Sequence, residues 1–147
     1  MTQVKAWRIL VAALLFMLVG QIVHTVGAMA TMGYYMDERY AAIWSRVMMP
    51  KPGPPPVSFH IYSIVFGFIA GIMFAFVYAV VRPSVPGSSA AAKGLVYGLL
   101  IFLVAAVPSY LTLFLLINVP PGLLRMWTAC DLVVYLIAGM LTAVVER

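Results

Sequence analysis

Four long, predominantly apolar stretches recur along the chain, and no other feature constrains its fold as tightly. The first runs from Ile9 to Ala30, the second from Ile61 to Val81, and the third from Leu95 to Val119 with Pro108 inside it; none holds Asp, Glu, Lys or Arg. The fourth, Met126 to Val145, holds a single charge, Asp131. A hydrocarbon core about 30 Å thick is crossed by about 20 helical residues. Lipid offers no partner for backbone N–H and C=O groups, so segments of this kind cross it as helices. The 147-residue chain is 65% hydrophobic and 9% charged, whereas a soluble domain carries about 25% charged residues. A domain of this length has too much surface to bury such an excess in one core. The composition excludes an ordinary soluble enzyme, a disordered chain and a DNA-binding module. It predicts an all-α integral membrane protein: an antiparallel four-transmembrane-helix bundle, one domain over residues 1–147.

Lys5 and Arg8 ahead of the first stretch, with Ala28-Met29-Ala30 behind it, also match the layout of a cleaved secretory signal. The stretch is long enough to span, and we read it as a retained helix. An even number of spans puts both termini on one side, with Lys5, Arg8, Arg82, Lys93 and Arg147. Arg39, Arg46, Lys51 and Arg125 fall on the other. The basic amino-terminal pair and the short Arg82–Lys93 loop favour cytoplasmic termini. The expected location is the cell membrane, multi-pass, with a bacterial inner membrane favoured because nothing resembles an organelle transit peptide. The net charge of +5 comes from nine scattered Lys and Arg. It suits anionic headgroups of the lipid bilayer and gives no reason to expect nucleic acid as a partner. One cysteine, Cys130, excludes a disulfide framework, a CxxC pair and a thiolate zinc site.

Between the first two stretches, residues 34–49 place Met36, Tyr40, Ile43, Trp44 and Val47 on one helical face, which predicts a short interfacial helix. Residues 50–56, Pro-Lys-Pro-Gly-Pro-Pro-Pro, then form a stiff connector, because proline fixes φ and removes donors. Gly67, Gly71 and Ala75 make a small-residue stripe in the second stretch, and Gly94 and Gly98 open the third; these and Gly139 are the expected helix-packing positions. Ile69-Ala70-Gly71 is echoed by Ile137-Ala138-Gly139, as a duplicated helical hairpin would produce.

Polar groups inside a membrane are costly and need a partner or a purpose. Here they gather toward one side. Gln21 and His24 lie three residues apart on one helical face, His60 and Ser63 open the second stretch, Ser109 and Tyr110 follow Pro108, and Asp131 and Tyr135 share a face of the fourth. The opposite half reads as Leu, Val, Ala and Phe. The candidate ligand or proton site is therefore His24, Asp131, His60, Gln21, Ser109, Tyr110 and Tyr135. Asp131 dominates it, at about 2.5–3.5 kcal/mol on insertion scales unless protonated or paired. One reading is a purely structural lock between helices, worth about 0.6–2 kcal/mol. Others are a b-type haem held by His24 and His60, or a pocket for a quinone, a lipid headgroup or a small transported solute. Ser109, His24 and Asp131 have the residue types of a hydrolase, but no GxSxG, HExxH or acidic metal motif accompanies them. No catalytic residue and no metal are expected, nor any cofactor apart from the haem alternative. The function expected is non-enzymatic: an accessory or scaffold subunit packing against a membrane-protein partner or a second copy of itself. The alternative is binding or transport of quinone, lipid or b-haem at the polar cluster.

Overall fold

The computed structural model describes residues 5–51 and 53–147, and every regular element among them is helical. In chain order these are α1 (Ala6–Ala30), α2 (Met32–Met36), a 3-10 turn at Glu38–Ile43, α3 (Val57–Val81), a 3-10 turn at Arg82–Ser84, α4 (Ala90–Ile101), a π-helical segment at Phe102–Ala106, α5 (Val107–Leu116) and α6 (Pro121–Val145). Four helical stretches are long and apolar enough to cross a membrane: Ala6–Ala30, Val57–Ser84, Ala90–Leu116 and Pro121–Val145.

All four helices begin before the apolar stretches do, and in three of them a proline or serine marks the start. Pro56 precedes α3 and Pro121 opens α6, where a missing N–H removes no helical bond. Ser89 Oγ accepts from the Ala92 N–H at 3.1 Å and starts α4. The third stretch also stops short of the expected Val119. Ile117 is extended at φ −133°, ψ 147°, and Pro120-Pro121 disfavours helix in the residue before it and supplies no donors. Inside that stretch, Pro108 removes one N–H and would press its ring on the carbonyl of Val104. The wider π turn at Phe102–Ala106 lies immediately ahead of it, and the α-helix resumes at Val107.

The single helix expected over residues 34–49 is not formed. α2 ends at Met36, and Asp37, extended at φ −81°, ψ 118°, caps the 3-10 turn by accepting from the Arg39 N–H at 3.0 Å. The aromatic residues there pack inward: Tyr34, Tyr35, Ile43 and Trp44 rest on Val119, Leu123 and Leu124. In the proline-rich connector, Gly53 takes φ 138°, and Pro52 lies outside the described residues.

α6 packs against both α4 and α1, and α1 packs against α3. Glycine makes these approaches possible. A Cβ on Gly71 would stand 2.7 Å from the carbonyl oxygen of Ala13. Gly94 and Gly139 face each other so closely that a Cβ on either would run into the other's carbonyl, and one on Gly98 would meet that of Tyr135. Ala75 is fully buried, whereas Gly67 is looser, with Met17 Cγ at 3.4 Å from its notional Cβ. The echoed Ile-Ala-Gly motif thus performs the same packing task twice, but the likeness ends there, since α6 touches two long helices closely and α3 mainly one. The half of the molecule expected to be Leu, Val, Ala and Phe instead buries Tyr78, Tyr97 and Thr142 with Phe74, Val85, Ala138 and Ala143.

Candidate functional site

Asp131 lies in the third turn of α6, on the part of that helix that meets α1 and α5. Its Oδ1 is 3.0 Å from His24 Nε2 of α1, and its Oδ2 accepts from the Tyr110 hydroxyl of α5 at 2.6 Å. Gly27 sets the first distance. A Cβ there would stand 2.5 Å from Cys130 Sγ, so the absence of one lets α1 and α6 close one turn from His24. The His24 side chain keeps 45% of its surface exposed, that of Asp131 only 24%. A neutral imidazole donates its Nε2–H to Asp131, and an imidazolium forms an ion pair across the same contact. The arrangement can therefore hold one proton between imidazole and carboxylate while Tyr110 supplies a fixed donor.

The other sequence candidates have different occupations. Gln21 Nε2 donates to Ser63 Oγ at 2.8 Å and joins α1 to α3. Ser109 Oγ donates back to the Ala105 carbonyl at 2.7 Å within its own helical stretch. Tyr135, although one turn from Asp131, sits among Phe16, Phe74 and Phe102 with ring centroids 6.0, 5.7 and 6.4 Å away. His60 is exposed in the first turn of α3, edge-on to Phe59 at 5.6 Å. The two imidazoles of the haem reading thus have different surroundings, with His24 Nε2 directed at Asp131. Among the described residues no group of three or more His, Cys, Asp or Glu could hold a metal ion.

Two further features lie outside that cluster. An open crevice of about 310 Å³ is lined by Ala30, Thr31, Gly33, Tyr34 and Asp37. Arg39 grips the Asp37 carboxylate at 2.6 Å and holds its pKa below the usual value. Nearby, Trp127 Nε1 donates to the Tyr35 hydroxyl at 2.9 Å, and Tyr35 stacks obliquely on Trp44 at 4.9 Å.

The second feature was missed from the sequence. Glu146, just past the end of α6, is 4% exposed, and its Oε1 is buried without a hydrogen-bond partner among the described residues. Arg82 Nη1 donates to the Glu146 carbonyl and Arg8 Nη1 to the Arg147 carbonyl. Guanidinium groups from the first turn of α1 and the end of α3 thus bind the two backbone carbonyls that follow α6. Burial pushes the Glu146 carboxyl above its usual pKa, against the opposing pull of Arg8 and Arg82. One signal was available in the sequence: Glu146 falls on the same face of α6 as Asp131. No protein-family model, no curated protein and no solved structure matches this chain.

Proposed function

We propose that this chain is a multi-pass integral membrane protein, an antiparallel four-helix bundle with cytoplasmic termini, in a bacterial inner membrane. In this reading it is a non-enzymatic accessory or scaffold subunit that packs against a membrane-protein partner or a second copy. The observation that carries the choice is the state of Asp131, the single charge within the apolar stretches. Both of its oxygens are committed, one to His24 and one to Tyr110, which is the arrangement of a lock between helices. The apolar outer surface supports the membrane setting, since Phe66, Met73 and Phe76 of α3 and Phe114 and Leu115 of α5 are all more than half exposed. Surface of this kind is covered by lipid or by another protein.

The half-open edge of His24 favours one second reading, a site for a quinone, a lipid headgroup or a b-type haem. Purification from native membranes in mild detergent, with light scattering and an absorbance spectrum on one sample, separates the two. The scaffold reading expects a colourless particle with partner or second copy at fixed stoichiometry, its mass unchanged by His24→Ala. A monomer carrying a chromophore that His24→Ala removes would overturn it.

A further inference from the structure

Three segments distant in sequence meet at the end of α6. Arg8 in the first turn of α1 donates through Nη1 to the Arg147 carbonyl, and Arg82 at the end of α3 donates through Nη1 to the Glu146 carbonyl. Both arginines grip backbone and leave the Glu146 side chain unmatched. Among the described residues the ion pairs are His24–Asp131 and Asp37–Arg39, so neither arginine forms one with Glu146. The residue is nonetheless 4% exposed, and neither its Oε1 nor the buried Arg8 Nε has a hydrogen-bond partner among the described residues. A carboxylate placed this way has lost water at one oxygen without gaining a donor in exchange. The neutral carboxyl tolerates the same position better, because only its dipole is desolvated. The charged groups acting on Glu146 are Arg8 and Arg82, and the other titratable group beside it is the buried Tyr78 of α3. No group of α4, which also packs on α6, is among them. The pull of the two arginines is weaker than the effect of burial, which holds the carboxyl above its ordinary pKa.

We propose that Glu146 is a pH-operated latch on the last turn of α6, closed under the two arginines while its carboxyl carries a proton and released when that proton is lost to water. The inference is independent of the scaffold role and of the membrane setting. In the closed state the carboxyl is buried and keeps its proton to higher pH than in the open state, where water surrounds it. Opening is therefore least favourable below the ordinary carboxyl range. As pH rises from there, the opening equilibrium constant grows about tenfold per pH unit until the closed state also loses its proton, and is constant above that point. The carboxyl O–H is the one covalent bond broken. Release frees Arg82 and Arg8 from the Glu146 and Arg147 carbonyls and so unties the start of α1 and the end of α3 from α6. The body of α6 stays fixed where Gly139 meets Gly94, so the opening is local.

The test compares the full wild-type chain with Glu146→Gln, whose amide copies the shape of the neutral carboxyl and does not titrate. Amide hydrogen exchange of the peptide covering residues 142–147 is followed by mass spectrometry in mild detergent from about pH 4 to about pH 9. Intrinsic exchange is nearly the same in the two chains at each pH, so the ratio of their rates isolates opening. Wild type should match the variant in acid, then exchange progressively faster, levelling off at an excess of at least about threefold. The peptide covering residues 90–101 of α4 should show no such excess. If Glu146→Gln fails to fold by circular dichroism, Glu146→Ala replaces it, and the pH dependence of the ratio is read in place of its absolute value. A ratio that is flat with pH overturns the proposal, as does one that rises toward acid. An equal rise in the α4 peptide also overturns it, because the whole bundle and not the last turn would then be opening.

Discussion

Alanine substitution at four glycines should produce a stability series ordered by the space each helix has beside its neighbour. Alanine in place of glycine in a helix gains about 0.5–1 kcal/mol of backbone propensity wherever the methyl fits. Gly20 has nothing within 4 Å of its notional Cβ, so Gly20→Ala should show that gain alone. At Gly67 the methyl would meet Met17 Cγ at 3.4 Å, an ordinary contact with a flexible side chain, and the net change should lie near zero. At Gly71 it would meet the Ala13 carbonyl oxygen at 2.7 Å and Cα at 2.8 Å. Backbone cannot rotate aside, so the whole of α1 must move away from α3. Overpacking of this kind costs about 1–3 kcal/mol, and after the propensity gain about 0–2.5 kcal/mol of destabilisation should remain. Gly94→Ala should lie at or above the top of that range, because its methyl would enter the Gly139 carbonyl at the α4–α6 contact. Combining Gly94→Ala with Gly139→Ala should cost less than the sum, since one separation relieves both collisions. Unfolding in mixed micelles titrated with a denaturing detergent, followed by circular dichroism, measures the series. A Gly94→Ala variant as stable as wild type would refute the reasoning, as would a Gly20→Ala variant that falls as far as Gly94→Ala.

The Asp131 lock gives a second series: Asp131→Leu removes both cross-helix bonds and should cost about 1–3 kcal/mol in the same assay, at about 0.6–1.7 kcal/mol per bond. Tyr110→Phe should cost about half of that, and an Asp131→Leu variant with the wild-type midpoint would show that neither bond contributes. Glu146 gives a prediction in pH. Its folded-state pKa is raised, so the folded chain binds that proton more tightly than the unfolded chain, and stability falls as pH rises from the ordinary carboxyl range through the folded value. Glu146→Gln should therefore be at least as stable as wild type near pH 7, with no such advantage in acid where both side chains are neutral. A glutamine variant less stable at pH 7 would mean that attraction to Arg8 and Arg82 outweighs burial.

The four long helices were legible because hydropathy over about 20 residues is an averaged property that no single neighbour alters. Their ends were not, since Ser89, Pro121 and the Pro120-Pro121 pair act through caps and missing donors one residue at a time. The loop helix failed for a related reason. The 3.6-residue periodicity of residues 34–49 was real, but Asp37 offered the backbone a cap in mid-segment and the aromatic face had a neighbour to fold against. In the site, His24, Asp131 and Tyr110 could be grouped because all three lie at corresponding depths. Gln21 has the same depth and the same helix as His24, yet it meets Ser63, because which neighbour a helix face confronts is decided by packing. Glu146 escaped notice because a charge at the end of an apolar stretch looks solvated; its burial depends on Arg8 and Arg82, far away in sequence.

Of the four acidic residues in the chain, Asp37 and Glu38 lie in the first loop and Asp131 and Glu146 on one face of α6, and the last two differ in what they imply. Asp131 is satisfied at both oxygens, so a stabilising role accounts for everything seen there, and replacing it tests stability and function at once. Glu146 is the reverse case. Its backbone carbonyl, not its carboxylate, receives the Arg82 hydrogen bond, one carboxylate oxygen has no partner among the described residues, and burial works against its charge. A neutral side chain of the same shape would keep the carbonyl capped and relieve the buried charge. Glu146→Gln should therefore raise stability near pH 7. That outcome would show the end of α6 held by the carbonyl contacts of Arg82 and Arg8 and not by the carboxylate.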